Sequence, residues 1–241
     1  MSFVDTSPRW LKSIYVANVQ FLKHIFYKLG WLEKLDKRAT ESQNFHYFRS
    51  LFAIYQLDDM IQLDVPWWTY SAIESIEKYI AQLGYKPDVF EYGSGASTLW
   101  LAKRSARVIA VEHDVTWFEK LNKKISSYQH VELILKAPEK EAKDRKYRSA
   151  KMPGVSFESY VKTIHDNNQA FDIIIIDGRS REACLEECLT CLKPNGIIIF
   201  DNSDRKRYQG VLKSSLLNIS RFRGRVPGSP FSSETALLRK S

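Results

Sequence analysis

A chain of 241 residues with 44% apolar and 27% charged residues has the size and composition of one globular domain with an appendage. No stretch approaches the roughly 18 apolar residues of a membrane span, the N-terminus lacks the pattern of a secretion signal, and three cysteines argue against a disulfide framework, so we expect a cytoplasmic protein. The net charge of +8 favours an anionic partner, and nucleic acid, acidic glycans, phosphorylated metabolites and an anionic membrane surface all stay open.

Residues 1–65 are predicted to form an N-terminal helical extension. Between Trp10 and Leu29 a stripe recurs at helical spacing, and Gly30 is expected to end the helix. This stripe is predicted to dock on the main domain, with an interfacial membrane helix or a dimer contact as alternatives. It comprises Leu11, Ile14, Tyr15, Asn18, Val19, Leu22, Ile25, Phe26 and Leu29.

The main domain is predicted to span residues 66–241. Pro66 opens an amphipathic helix that Gly84 closes, and strand and helix patterns alternate from Pro87 onward. Such alternation predicts a doubly wound α/β fold, with a parallel sheet between two layers of helices. Strands are predicted at Asp88–Tyr92, Arg107–Glu112, Val131–Leu135, Phe171–Asp177 and Gly196–Asp201, helices at Val115–Ser126, Glu182–Leu192 and near Arg205–Leu217, and two further strands after residue 218.

The segment FEYGSGASTLWLA, residues 90–102, predicts a ligand site at the end of the first strand. Gly93 and Gly95 allow a tight turn and the close approach of a ligand, and a helix with free N–H groups follows. A dinucleotide fingerprint needs a third glycine where this chain has Thr98, and the charge of Glu91 would oppose a pyrophosphate. A positively charged nucleoside such as S-adenosylmethionine suits this turn better. Glu112, 21 residues after Glu91, stands where a carboxylate holds ribose hydroxyls in both cofactor classes.

Four segments resemble, in order and spacing, the motifs of class I S-adenosylmethionine-dependent methyltransferases: FEYGSGASTLWLA, VIAVEHD, FDIIIIDGRSR and LKPNGIIIFDNSDR. The resemblance covers about Pro66 to Ser241 and points to a bacterial subgroup with mostly unassigned substrates. It implies a Rossmann-like, seven-stranded sheet with the last strand antiparallel. It also implies cofactor contacts, for which the candidates are Glu91, Gly93, Ser94, Gly95, Ser97, Thr98, Glu112, His113 and Asp177, with Glu139 a weak match for the adenine-contacting acid.

A hard-cation site is predicted one strand further on. Asp177 and Asp201 each end a run of isoleucines, and Asn202 follows directly, so three oxygen donors meet at one rim and could bind Mg²⁺ or another hard divalent cation. The pattern resembles the metal ligands of catechol and caffeoyl-CoA O-methyltransferases, where the metal would lower the pKa of a substrate hydroxyl. The alternatives are a helix cap or cofactor contact for Asp177, and a turn for Asp201 and Asn202.

The catechol family's lysine base has no counterpart, because its position is Ser180 here. Arg179 and Arg181 flank it, and these permanently charged side chains suit the binding of a carboxylate, phosphate or sugar acid. Our catalytic candidates are therefore Asp177, Arg179 and Asp201, with the general base unidentified.

Three other sequence features, namely the cysteines, a pair of tryptophans and a long charged segment, each allow two interpretations. Cys184, Cys188 and Cys191 match the spacing of iron–sulfur ligands in radical S-adenosylmethionine enzymes, but their helical spacing among leucines predicts core packing. Trp67 and Trp68 could cover the cofactor or pack in the core. Residues 136–154 could form a mobile flap or a solvated loop.

The sequence thus favours an S-adenosylmethionine-dependent methyltransferase that acts on oxygen in a small-molecule or glycan-like, anionic acceptor. An RNA methyltransferase is the nearest alternative, although DGRSR replaces the Asn/Asp-Pro-Pro-aromatic motif of base amino methylation and the chain lacks the Pro-Cys pair of cytosine methylation. A non-catalytic cofactor-binding or membrane-surface module is the alternative from another class.

Overall fold

Nine strands form two sheets in the computed structural model, which describes residues 9–54, 56–140, 144–150, 152–166 and 168–240. They are β1 (Asp88–Tyr92), β2 (Arg107–Glu112), β3 (Val131–Leu135), β4 (Arg148–Ser149), β5 (Met152–Ser156), β6 (Phe171–Ile176), β7 (Leu192–Asp201), β8 (Asn218–Val226) and β9 (Ser229–Arg239). A seven-stranded sheet has the order β3-β2-β1-β6-β7-β9-β8, and β4 pairs with β5 in a small hairpin. Because β9 runs antiparallel to both neighbours, the structure confirms the predicted Rossmann-like sheet.

The strand order reverses between β1 and β6. The chain proceeds from β1 outward through β2 to β3, then returns to the other side of β1 with β6 and continues to β7. β1 pairs in parallel with both β2 and β6, which brings Tyr92 beside Val111 and Ile176. Crossover helices diverge at such a reversal and leave a crevice beyond the carboxyl ends of the strands. The fold therefore places an open crevice directly above the turn that follows β1.

Ten helices complete the described part of the chain, and the sheet lies between layers of them. The helices are α1 (Arg9–Lys28), α2 (Trp31–Ala39), α3 (Gln43–Ser50), α4 (Leu57–Gln62), α5 (Tyr70–Leu83), α6 (Ala96–Ala102), α7 (Val115–Ile125), α8 (Glu158–Lys162), α9 (Arg181–Cys188) and α10 (Gln209–Ser214). The runs of isoleucine in β6 and β7 are buried on both faces and separate two apolar cores. None of these helices is long and apolar enough to cross a membrane.

The N-terminal helices are tied to one another by a buried charge cluster. Arg49 is almost fully buried and donates to Asp36 and Asp59, and Lys23 of α1 also pairs with Asp59. The core then continues across residue 65, since Leu57 is buried with residues of the main domain. The division of the chain at residue 65 stays a prediction.

The docking face of α1 differs from the predicted one. Within the predicted stripe, Val19 and Phe26 pack against a small core of Leu32, Leu35 and Phe52. Ile14, Leu22 and Leu29 of the same stripe are exposed. The side of α1 that faces the protein contains Val19, Phe26 and also Lys23, which pairs with Asp59. The Leu11 side chain lies outside the described part of the chain, and four of the seven described apolar residues of the stripe face outward: Ile14, Tyr15, Leu22 and Leu29.

Other element boundaries shift by a few residues. The second predicted helix begins at Tyr70 rather than at Pro66, and α9 ends at Cys188 because a short 3-10 turn leads into β7. Cys184, Cys188 and Cys191 are all buried free thiols in the core, which confirms their predicted packing. The segment 136–154, predicted as a mobile flap or a solvated loop, contains β4 and the start of β5, which pair antiparallel, while residues 141–143 and 151 lie outside the described part of the chain.

Candidate active site

A cleft of about 690 Å³ opens above the carboxyl ends of β1, β2 and β6, within the usual volume of small-molecule sites. One part of its wall, here called the glycine end, consists of Gly93–Gly95, Ser97 and Glu112–Asp114. The opposite part, the arginine end, consists of Arg148, Arg179–Glu182, Arg205, Arg207 and Tyr208. Asp177 lies between the two ends, and Trp67 and Trp117 also contribute to the wall.

Two glycines let the backbones after β1 and β6 touch. Gly93 has a φ of 90°, and a Cβ on it would lie 2.8 Å from the Gly178 Cα. A Cβ on Gly178 would lie 1.9 Å from the hydroxyl oxygen of the buried Tyr160. Since neither position has room for a side chain, the floor of the cleft is bare backbone at the point where the strand order reverses.

Glu91 lies beneath the glycine end and is completely buried. Its two oxygens accept the hydroxyls of Ser97 and Thr98, and the Thr98 hydroxyl oxygen accepts the Gly95 N–H at 2.9 Å. Burial raises the pKa of Glu91 to about 8, and the charges of Asp177 and Glu112 add to this shift although the two hydroxyls oppose it. Glu91 therefore fixes the first turn of α6 and is protonated for much of the time near neutral pH.

Glu112 is the charged carboxylate of the glycine end. Its oxygens accept the N–H groups of His113 and Asp114 at 2.7 and 2.9 Å, and both the N–H and the hydroxyl of Ser94. Burial would raise the pKa of Glu112, but the bonds from His113 and Asp114 outweigh it and lower that pKa. His113 Nδ1 also lies 2.7 Å from Glu112 Oε1. Ionised Glu112 is thus oriented from three sides at the end of β2.

The predicted cofactor residues fall into two groups. The cleft wall contains Gly93, Ser94, Gly95, Ser97, Glu112, His113 and Asp177. Glu91 and Thr98 lie behind that wall, so the Ser97 hydroxyl rather than the Glu91 carboxylate faces the cleft. Trp67 lines the cleft while Trp68 is buried against Trp100, so only one of the two tryptophans can cover a ligand.

The residues of the glycine end fit a cationic sulfur nucleoside. Ionised Glu112 can accept ribose hydroxyls, and the bare turn at Gly93 and Gly95 permits close approach to the backbone. Ser97 and the other first residues of α6 offer donors for a small carboxylate. The ionised Glu112 beside the turn would oppose a pyrophosphate.

The predicted metal ligands do not fit a hard divalent cation. The Arg181 guanidinium lies between the two carboxylates, 2.5 Å from Asp177 Oδ1 and 3.8 Å from Asp201 Oδ2. Its other N–H groups donate to the backbone carbonyls of Asp177, Gly178 and Asp201. Asn202 turns away and donates to Ser233 at 3.1 Å. A fixed cation of the protein itself therefore takes the place expected for Mg²⁺, and no described group of three His, Cys, Asp or Glu side chains offers another such site.

Asp201 is a buried partner of this arrangement and does not reach the wall. Its Oδ1 accepts the Thr235 hydroxyl at 2.9 Å. Burial raises the pKa of Asp201 to about 7, with the charge of Asp177 adding to the shift and that of Arg181 opposing it. Asp177 is thus the carboxylate of the pair that lies on the cleft wall, with Asp201 behind it.

Cations from separate segments surround Tyr208 at the arginine end. The guanidinium carbons of Arg207 and Arg181 lie 4.7 and 5.9 Å from the centre of its ring. Arg179 donates to His113 Nε2 at 2.9 Å, which spans the two ends of the cleft and places the His113 proton on Nδ1. Arg148 at the start of β4 and Arg205, directly before a 3-10 turn at Lys206–Tyr208, complete this wall.

Several of these residues were not singled out by the sequence. Gly178 could have been suspected from its place directly after the fourth predicted strand. Tyr208 and Arg148 carried no local signal, because they reach the cleft only through the packing of distant loops.

Residues 90–203, just under half of the chain, match a family model described as a methyltransferase domain. No curated protein matches the chain significantly. Among solved structures, an rRNA methylase from Streptococcus thermophilus is 14% identical with a TM-score of 0.49, covering 70% of this chain and 95% of that one. A methyltransferase-like protein from Silicibacter pomeroyi is 18% identical with a TM-score of 0.47, covering 69% and 86%.

Both TM-scores are below 0.5, so the family model and the cleft, and not these two structures, identify the class of the domain. A doubly wound sheet with a glycine turn after β1 and a carboxylate at the end of β2 defines a class I nucleoside-cofactor domain. The matched family makes that domain a methyltransferase. Residues 90–203 thus belong to a class I S-adenosylmethionine-dependent methyltransferase domain, which implies S-adenosylmethionine as the methyl donor.

Proposed function

We propose that the enzyme methylates a hydroxyl oxygen of an anionic small-molecule or glycan acceptor, whose acidic group binds the arginine end of the cleft. The observation that carries this proposal is the charge balance of that end. Five arginines line it against Glu182 and the neighbouring Asp177, and Asp177 is already paired with Arg181. The guanidinium group of arginine forms bidentate hydrogen bonds with carboxylate and phosphate groups, so this excess of arginines suits an acceptor that contains one of them.

The glycine end would hold the cofactor, with Glu112 on the ribose hydroxyls and the turn at Gly93 and Gly95 close to the amino-acid part. When bound, S-adenosylmethionine supplies an electrophilic methyl group on a sulfonium. The chain must then hold the acceptor oxygen in line and remove its proton. These two tasks fall to residues at the boundary of the two ends.

Asp177 is our candidate for the proton acceptor, because it is the carboxylate on the cleft wall between the two ends. Its bond to Arg181 fixes the orientation of the carboxylate. Arg179 is our candidate for orienting the acidic group, since His113 holds its Nε. Asp201 would act indirectly: it contacts Arg181, and Arg181 in turn orients Asp177. The reaction proposed here uses no metal ion, because Arg181 fills the place of one.

An acceptor screen with methyl-labelled S-adenosylmethionine tests this proposal. The acceptors are matched pairs that differ only in charge: a uronic acid and its parent sugar, a sugar phosphate and the free sugar, a hydroxybenzoate and its amide. We expect kcat/KM to be at least about tenfold higher for the anionic member of a productive pair, the product to be a base-stable ether, and the rate to be unchanged by a chelator. Equal turnover of both members, labelling of RNA alone, or loss of activity with chelator would contradict the proposal.

A matched pair of variants locates the binding residues. Arg207 lines the cleft, whereas its exposed neighbour Lys206 does not. Arg207→Gln should raise KM for the anionic acceptor about tenfold and leave the Kd of S-adenosylmethionine unchanged. Lys206→Gln removes the same charge from the same turn and should change neither constant. An equal response of the two variants would mean that only the overall charge matters.

A further inference from the structure

We infer that the outer face of α1 binds the surface of an anionic lipid membrane. This outer face consists of Ile14, Phe21, Leu22 and Leu29, and Trp31 at the start of α2 extends it. Each of these side chains is between 47% and 65% exposed. Large apolar groups at helical spacing on one side of a surface helix mark an interaction site when nothing in the protein covers them.

The face continues into aromatic groups of the neighbouring helices. The Trp31 ring packs edge-on against Phe26 with centroids 5.4 Å apart, and Phe26 in turn contacts Phe52. Phe48 of α3 packs against Phe52 and is itself 46% exposed. The patch is therefore one surface supported from below by buried rings, and tryptophan at its edge is typical of a membrane interface.

The charge around the patch favours an anionic surface. α1 contains no Asp or Glu over its 20 residues. Lys28 of α1 and Lys34 and Lys37 of α2 are exposed, and none of them forms an ion pair within the part of the chain that the structure describes. The exposed Glu33 of α2 offsets one of these three charges. Cations beside a lipid surface each contribute favourably when the lipids are anionic. A helix with large apolar groups on one side and flanking cations is the pattern that lies in the plane of a membrane interface.

The same charges argue against a second copy of the chain as the partner. Two copies joined through this face would bring the cations of both close together, and α1 supplies no carboxylate to compensate them. The net charge of +8 adds to this repulsion.

Flotation of the full chain with lipid vesicles tests the inference. The vesicles are equimolar phosphatidylcholine and phosphatidylglycerol, or phosphatidylcholine alone, and each is used at low and at high salt. We expect binding to the anionic vesicles that weakens at high salt and falls about tenfold in the double variant Phe21→Ser/Leu22→Ser. The side chains replaced are exposed and outside the cleft, so the double variant should fold and bind S-adenosylmethionine as before.

Tyr27→Ser is the matched control. Tyr27 is as exposed as Phe21, at 65%, but it projects from the opposite side of α1. The inference requires that Tyr27→Ser keep vesicle binding within about twofold of the parent chain. Absence of flotation, equal binding to neutral vesicles, or an equal loss in both variants would overturn it. A concentration-dependent dimer that Phe21→Ser/Leu22→Ser dissociates, without vesicle binding, would overturn it in favour of self-association.

Discussion

The two ends of the cleft are built in opposite ways. The glycine end is made by short segments at the ends of β1 and β2, and its acids are bonded to backbone N–H groups and hydroxyls that lie between 1 and 18 positions away. The arginine end is assembled from β4, the β6–α9 turn and the segment after β7, so tertiary packing is needed to bring its three charged segments together. A cofactor site with short-range contacts can be the same across a whole class, whereas a site made of distant loops can change from one acceptor to another.

The arginine end depends most on Arg181, and removing this side chain should have the largest effect. Arg181→Ala would leave the buried Asp201 and its partner Asp177 without their common cation. An uncompensated buried charge costs about 3–5 kcal/mol, so we expect a loss of that order in the free energy of unfolding. Urea denaturation measures it.

Arg179→Ala serves as the control for that experiment, because Arg179 is only partly buried and donates to a histidine rather than to a carboxylate. It should cost less than about 1 kcal/mol of stability. If Arg181→Ala were as stable as Arg179→Ala, the guanidinium would not be the element that holds the ends of β6 and β7 together.

A substitution at Glu112 tests the glycine end. Glu112→Ala removes the ionised carboxylate that is oriented toward the cleft, and we expect the Kd of S-adenosylmethionine to rise about a hundredfold, because bonds to a charged group contribute more than neutral ones. Calorimetric titration measures the change. Glu119→Ala, an exposed acid of α7 outside the cleft, should leave the Kd unchanged. A Kd that stays unchanged in Glu112→Ala would remove the ribose role proposed for this carboxylate.

The pH dependence of stability is the most gradual of these effects. The pKa of Glu91 is raised from 4.5 to about 8 in the folded protein. Its contribution to stability is therefore complete below pH 4.5 and is lost as the pH rises through 8, with a slope of at most about 1.4 kcal/mol per pH unit.

Glu91→Gln isolates this contribution from that of Asp201, whose raised pKa acts in the same direction. We expect the unfolding free energy of this variant to fall less steeply between pH 5 and pH 9 than that of the parent chain. Parallel pH profiles would show that Glu91 is ionised in its buried position.

The sequence predicted the sheet well because its strands are short, apolar and separated by clear turns. The bounds of β1, β2 and β3 agree with the predicted ones. The rim above the sheet was harder to predict. The strand pattern correctly predicted that Asp177, Asp201 and Asn202 follow neighbouring strands. Whether the two carboxylates bind a metal ion or the Arg181 guanidinium depends on side-chain directions, which residue spacing does not determine.

The N-terminal extension shows the same limit. Helical periodicity identified the apolar residues of α1, but it gave no means to decide which flank faces the protein. The pairing of Lys23 with Asp59, 36 positions away, decides that orientation. The β4–β5 hairpin escaped prediction because its strands are too short to show an alternation of polar and apolar residues.

One contact at the tip of the β8–β9 hairpin joins the extension to the cleft. The Gly228 N–H donates to Ser50 at 3.0 Å, and a Cβ on Gly228 would lie 3.0 Å from the indole nitrogen of Trp67. Trp67 thus packs against the β8–β9 turn, which is hydrogen-bonded to Ser50 at the end of α3. Deleting the first fifty residues would remove the Ser50 hydroxyl that accepts the Gly228 N–H, and with it the support of the turn beside Trp67. A truncated enzyme would therefore differ from the full chain in the wall of its cleft.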